Sequence, residues 1–278
     1  MSTILFEIRG GVAFITLNRP DKLNSFTHEM ALSFQNRLDE CASLREVRAV
    51  HITGAGKAFS AGQDLAEVAG PEGPSVAEAA ASAEATAAKT PGPSRMARIL
   101  QEQYNPIVRR IRNLPKPVLA AVNGVAAGAG ANIALCCDIV VAAESASFIQ
   151  AFSKIGLIPD SGGTWFLPRL IGWQKAAAIA MLGEKIGAAE AERMGMVYKV
   201  YRDEEFAGAS RALAAVLAEL PTRALAFTKH AFNYSVNNNL EAQLELEDEL
   251  QQRAAQTLDY AEGVRAFLEK RPAVFKGE

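Results

Sequence analysis

Between Pro117 and Asp138 two apolar runs are joined by a loop made almost wholly of glycine and alanine, Gly124-Val125-Ala126-Ala127-Gly128-Ala129-Gly130-Ala131-Asn132. The first run, Pro117 to Val122, has the length and composition of a buried strand, and the second reads as a short helix. A loop with so few side chains lets its backbone come close to something. The helix start beyond it presents unpaired N–H groups, which favour negative charge on a ligand or in a transition state. Gly128-x-Gly130 also opens a dinucleotide fingerprint, but the third position of that pattern is Ile133, which argues against a nicotinamide site. Further on, a lone acid, Asp160, follows Ile158-Pro159 and precedes Ser161-Gly162-Gly163.

The flanking chain alternates strands and helices. Residues 3–9 and 12–17 are short segments rich in Ile, Val and Phe, and Gly10-Gly11 between them signals an antiparallel hairpin. Thr27 is a good N-cap for a helix with Met30, Phe34, Leu38 and Cys41 on one face. A strand at Val47–Thr53 leads into the loop Gly54 to Leu65, and a helix runs from Met96 to about Arg112. The order points to α/β layers, with ligands at the C-terminal ends of strands. After Pro168 the periodicity predicts helices over 173–182, 188–195, 204–219, 222–236, 240–258 and 260–270, with one strand near Val197–Tyr201. We therefore expect a core over 1–200 and a helical region over 201–278 that caps the core or joins subunits. From Pro71 to about Pro93 the composition collapses to Ala, Gly, Pro, Ser and Glu, which predicts a mobile surface excursion within about 70–94.

The charge balance of 29 basic and 31 acidic residues gives no electrostatic footprint for nucleic acid. The three cysteines lack metal-ligand spacing and read as buried thiols in a reducing compartment, so no metal is expected. No run of 18 apolar residues occurs, and the N-terminus lacks a basic segment followed by an apolar one. These features predict a cytoplasmic protein with no membrane partner. His28, His51 and His230 have no acid or nucleophile at useful spacing and read as structural. There is no G-x-S-x-G and hence no nucleophile elbow.

Two stretches carry candidate chemistry. The loop Ser60-Ala61-Gly62-Gln63-Asp64 follows a strand and offers a second backbone N–H across a cleft from the Gly/Ala loop, the standard device for holding an oxyanion. Asp160 has two readings, an N-cap for the helix carrying Thr164, Trp165 and Phe166, or a general base in an apolar cleft formed by Leu157, Ile158 and Trp165. Burial of the second kind raises a carboxyl pKa.

Asn18-Arg19-Pro20 with Leu23-Asn24-Ser25, the loop Ala58 to Leu65, Pro117 to Gly130, Cys137-Asp138, Gly156-Leu157-Ile158-Pro159 and Gly162-Gly163-Thr164 together resemble the enoyl-CoA hydratase/isomerase (crotonase) family. The resemblance implies an α/β spiral core of ββα units, a C-terminal helical trimerisation region, a homotrimer or a dimer of trimers, and an acyl-CoA thioester ligand. Coenzyme A then belongs to the substrate, and no separate cofactor is expected. By the same resemblance the N–H groups of Gln63 and Ala129 hold the thioester carbonyl, and Ala61, Asp64 and Leu65 give backbone contacts to the adenine and pantetheine. Lys22, and Phe267 or Lys270 from a neighbouring subunit, are candidates for the CoA phosphates. The two water-activating glutamates of a hydratase correspond to Asn132 and Phe152, neither of which transfers a proton, so hydration is disfavoured. Asp160 falls where the family's isomerases carry their acid, and Asn132 becomes either its hydrogen-bonding neighbour or a packing residue. Phe152 to Trp165 with Tyr104-Asn105-Pro106 lies closest to the family's isomerases of ring-epoxide aryl acyl-CoA. The expectation is an acyl-CoA isomerase. A linear Δ3,Δ2-enoyl-CoA isomerase, a hydratase-like enzyme and a catalytically silent CoA- or RNA-binding member are the alternatives.

Overall fold

The computed structural model describes residues 2–69 and 95–278. The expected 70–94 excursion lies outside the described residues. Strands β1 (Ile4–Arg9) and β2 (Val12–Leu17) pair antiparallel through the Gly10-Gly11 turn, as the hairpin signal predicts. They continue into a six-stranded sheet of order β1-β2-β3-β5-β7-β10, whose remaining pairs are parallel. Its later members are β3 (Ala49–Gly54), β5 (Val118–Val122), β7 (Ile139–Ala143) and β10 (Lys199–Tyr201).

Between these the chain lays down a second sheet of three-residue strands, β4 (Ala58–Ser60), β6 (Val125–Ala127), β8 (Ser147–Ile149) and β9 (Lys185–Gly187), in the order β4-β6-β8-β9. Each step of the repeat, β3 with β4, β5 with β6 and β7 with β8, places one strand in each sheet and then enters a helical segment. This is the spiral of ββα units. The two sheets are tied tightly at the corners: a Cβ on Gly124 would stand 2.1 Å from the Lys57 carbonyl oxygen, and one on Gly130 2.5 Å from that of Ser60. The backbone approach inferred from the Gly/Ala loop is therefore first an approach of chain to chain.

Residues of β5 are buried throughout, as expected for a parallel strand covered on both faces. Thr27 Oγ1 accepts from Met30 N–H at 3.2 Å and starts the helix His28–Ser43, whose Met30, Phe34, Leu38 and Cys41 enter the core. The helix predicted over Met96–Arg112 is interrupted. A π-helical turn, Ile99–Tyr104, separates Arg95–Arg98 from Asn105–Asn113. Buried Gln35 donates through Nε2 to the carbonyls of Glu102 and Gln103, at 2.8 and 3.2 Å, satisfying acceptors on that widened turn.

The late helices are Gly163–Ile171, Trp173–Leu182, Ala188–Arg193, Asp203–Glu219, Thr222–Ser235, Leu240–Ala255 and Leu258–Glu269. A buried charge cluster anchors one of them. Lys229 Nζ reaches Asp138 Oδ2 at 2.8 Å and the Ile111 carbonyl at 2.6 Å, while Arg112 Nη1 reaches Asp138 Oδ1 at 3.1 Å and Asp138 Oδ2 accepts the Val118 N–H. Burial pushes the Lys229 ammonium below its usual pKa, opposed by the charge of Asp138. The three cysteines are free and buried.

Candidate active site

The first loop of the site is held by a left-handed residue. Asn24, at φ +54° and fully buried, accepts the Arg19 N–H on Oδ1 and donates through Nδ2 to the carbonyls of Ala55 and Ala58. Ser60 Oγ donates to the Asn24 carbonyl at 2.8 Å and accepts the Gly62 N–H at 3.2 Å. Gln63 then forms an isolated parallel bridge with Phe26: Phe26 N–H donates to the Gly62 carbonyl at 2.7 Å, and Asp64 N–H to the Phe26 carbonyl at 2.9 Å. In such a bridge the central residue turns its own N–H and C=O to the opposite side. The Gln63 N–H therefore faces away from Phe26.

The second loop packs against the neighbouring Gly62. Gly62 adopts φ +88°, and a Cβ there would meet the Ala127 carbonyl oxygen at 2.8 Å and the Ala129 nitrogen at 3.3 Å. Ala129 is the first residue of the helix Ala129–Leu135, so its N–H has no intrahelical acceptor. Among the described residues neither the Gln63 N–H nor the Ala129 N–H is taken by a backbone carbonyl. Two backbone N–H groups without a backbone acceptor thus stand on adjoining loops.

Asn132 connects this helix to Asp160. It is wholly buried, donates through Nδ2 to the Asp160 carbonyl at 2.8 Å, and accepts Gln150 Nε2 on Oδ1 at 2.7 Å. It lies three residues after Ala129, about 4.5 Å along the helix axis. Asn132 contacts the Asp160 backbone rather than its carboxylate, and both halves of its amide are engaged. Phe152 is buried, with Cζ 3.7 Å from where a Gly128 Cβ would stand, so an aromatic edge lies beside the Gly128–Ala129 turn.

Asp160 is not a helix N-cap. The helix Gly163–Ile171 begins after Gly162, at φ +80°, and no side chain caps it; the Asp160 carbonyl instead accepts the Gly163 N–H at 2.7 Å. Ser161 and Gly162 are both left-handed, at φ +50° and +80°, and place Asp160 two residues before the capping position. Of the expected apolar wall, Ile158 is 77% exposed and Leu157 also faces outward. Partial burial of Asp160 still pushes its carboxyl up to about 6, against the lowering effect of the Ser161 hydroxyl, which donates to Oδ1 at 2.9 Å.

The remaining predicted residues divide. Ala61 and Asp64 have their N–H groups committed, to the Leu23 and Phe26 carbonyls. The Asp64 carboxylate faces Arg19 Nη2 at 2.9 Å; burial raises its pKa, but the bond and charge of Arg19 and the N–H groups of Ala66 and Glu67 together outweigh that and hold it low. Leu65 is exposed at the start of the helix Leu65–Ala69, and Lys22 is exposed on the turn preceding Leu23. Phe267, 83% exposed, and Lys270 lie at the end of the last helix. His51 is buried against Ser210 and lies outside this site. A 670 Å³ hollow bounded by Val108, Arg112, Trp165, Phe166 and Lys229 is lined by none of Gln63, Ala129 and Asp160, so volume does not locate the chemistry. Among the described residues no cluster of His, Cys, Asp or Glu has metal-binding geometry, and no helix is long and apolar enough to cross a membrane.

The profile described as Enoyl-CoA hydratase/isomerase matches residues 7–278. This chain belongs to the enoyl-CoA hydratase/isomerase family. It is 46% identical to a probable enoyl-CoA hydratase of Rhodobacter capsulatus, over 99% of this chain and 98% of that protein. It is 45% identical to the 1,2-epoxyphenylacetyl-CoA isomerase of Escherichia coli, over the full length of both. The crystal structure of a putative enoyl-CoA hydratase from Streptomyces coelicolor superposes with a TM-score of 0.87 at 36% identity, covering 100% of this chain and 95% of that one. The crotonase-type spiral is thus the fold of this member of the family.

Two polar residues near the site were not singled out individually by sequence. Gln150 supports Asn132, and Tyr104, read only as part of a family motif, donates from Oη to Gln63 Oε1 at 2.7 Å. Their partners are distant in sequence, so no local pattern announces them.

Proposed function

We propose that this chain is an acyl-CoA isomerase that moves a double bond by proton abstraction and return. The observation that carries the reading is the acid inventory. One carboxyl, Asp160, has its pKa pushed up to about 6, whereas the neighbouring positions hold an amide with both ends engaged, Asn132, and a buried phenyl ring, Phe152. A carboxyl tuned near neutrality exchanges protons efficiently in both directions. Water addition needs groups that hold and activate water, and a buried ring and a committed amide do neither.

In the proposed reaction the thioester oxygen lies between the N–H groups of Gln63 and Ala129. Asp160 carboxylate takes a proton from carbon, and the C–H electron pair enters the conjugated system as an enolate with its charge on that oxygen. The same carboxyl then returns the proton to a different carbon, with no group lost and no redox change. Each oxyanion donor contributes roughly 2.7–4 kcal/mol to such a transition state. Backbone at Ala61, Asp64 and Leu65 lies along the CoA path in this reading. Since the Ala61 and Asp64 N–H groups are committed, their contact is through carbonyls. Lys22, and Phe267 or Lys270 from a neighbouring copy in a homotrimer or a dimer of trimers, would meet the CoA phosphates, and such an assembly would cover exposed apolar residues such as Leu258 and Leu268.

The substrate class proposed is a ring-bearing aryl-type acyl-CoA, with 1,2-epoxyphenylacetyl-CoA the leading candidate. Support comes from full-length identity to the Escherichia coli enzyme of that name. Purified protein incubated in D2O with ring-bearing and linear enoyl-CoA esters separates the alternatives by NMR. Double-bond movement without hydroxyl products, faster on the ring-bearing ester, is expected. Rapid hydration of crotonyl-CoA would overturn the isomerase reading.

A further inference from the structure

Gln63 is the one residue of the first loop whose side chain is held on both ends of its amide. Oε1 accepts from Tyr104 Oη at 2.7 Å, and Nε2 donates to the Phe26 carbonyl at 3.2 Å and lies 3.4 Å from Glu67 Oε2. The Phe26 carbonyl also takes the Asp64 N–H, so side chain and backbone grip the same bridge on either side of the Gln63 peptide. Tyr104 comes from a distant element and is 1% exposed, its ring edge-on to Phe26 with centroids 6.0 Å apart. It is the last residue of the π-helical turn, whose carbonyls at Glu102 and Gln103 are fastened by Gln35. A π-turn shifts the residues after it around the helix relative to an α-helix, and here the displaced position carries the phenol.

We propose that Tyr104 is a positioning residue for the oxyanion site: its hydroxyl fixes the Gln63 side chain and thereby the direction of the Gln63 backbone N–H. The proposal rests on the assignment of Gln63 and Ala129 as the oxyanion donors. An oxyanion donor works by being fixed before charge develops, so a mobile Gln63 peptide loses transition-state stabilisation while ground-state contacts to the rest of the ester persist. Burial, followed by the anionic Asp160, Glu67 and Asp64 that face it, pushes the Tyr104 phenol well above its usual pKa. It stays a neutral donor wherever Asp160 is ionised, and so holds Gln63 without exchanging protons itself.

The test uses Tyr104→Phe, which removes one oxygen and keeps the packing, and Gln63→Met, which keeps the backbone N–H and removes the amide. The probe is a conjugated aryl-enoyl-CoA whose absorbance moves to longer wavelength when its carbonyl is polarised. We expect Tyr104→Phe to lower kcat about 10- to 100-fold, to leave KM within about twofold, to shrink the red shift of the bound probe, and to leave the shape of the pH profile unchanged. Added to Gln63→Met, it should lower kcat no further. A full red shift with undiminished kcat in Tyr104→Phe overturns the proposal, as does a loss that multiplies with that of Gln63→Met or a displaced pH limb. Absence of any red shift in the unaltered protein would instead remove the oxyanion assignment on which the proposal stands.

Discussion

At Asp160 two influences on one carboxyl are unequal. Removal from water raises its pKa, the Ser161 hydroxyl lowers it, and the result is a group that changes charge at about 6. Only the ionised form accepts a proton from carbon, so kcat/KM is expected to fall as pH drops through about 6, with an acidic limb of unit slope that a pH-rate profile reads directly. The same shift has a consequence for stability. The folded chain holds this proton more tightly than the unfolded chain, so the contribution of Asp160 is present below the unfolded value of 3.8 and is lost as pH rises through about 6. Asp160→Asn should therefore raise the melting temperature at pH 7.5 by a few degrees, against no gain at pH 4 in a parallel thermal melt. Such a tension between function and stability is expected if Asp160 is the proton-transfer group proposed above.

The elements of the site meet through glycines. At Gly62, a Cβ would need φ +88° and would stand 2.8 Å from the Ala127 carbonyl oxygen, so Gly62→Ala must separate the loops that carry the proposed donors. We predict a kcat loss of about 100-fold with a stability loss of roughly 1–3 kcal/mol, measured by steady-state kinetics and urea titration. The same scale explains what was legible in the sequence. The hairpin at Gly10-Gly11 and the helix after Thr27 were readable because turn chemistry and periodicity are local. Strands β4, β6, β8 and β9 were not, because three residues are too few to show an alternation of period two. The π-turn at Ile99–Tyr104 also escaped, since Gln35 supplies its stabilising donor from another helix. Asp160 looked like an N-cap because a capping residue is recognised by its place before a helix, whereas the left-handed Ser161-Gly162 pair shifts that place. The acid itself stood out as a lone carboxyl. Gln63 and Ala129, the proposed donors, are legible only through family likeness, and Tyr104 and Gln150 require the folded chain.

Across the whole molecule, the helical C-terminal third is fastened to the sheet core by charge as well as by apolar contact. Lys229, on the helix Thr222–Ser235, reaches Asp138 between the helix Ala129–Leu135 and β7, and Arg112 shares the same carboxylate. Removing Lys229 takes one of two cations from Asp138, which keeps Arg112 and the Val118 N–H, a change that costs about 1–3 kcal/mol. Lys229→Met should lower stability by that order in chemical denaturation, while the double variant Lys229→Met with Asp138→Asn recovers part of the loss. Full stability in the single variant would show the cluster to be dispensable.

The proton transfer assigned to Asp160 is tested most directly by Asp160→Asn, with turnover and ester binding measured on the same preparation. The account predicts that kcat for double-bond movement falls about 10²- to 10⁴-fold while calorimetric binding of a non-reactive acyl-CoA changes only a few-fold. Turnover within tenfold of the unaltered protein would contradict it and move the proton to another group.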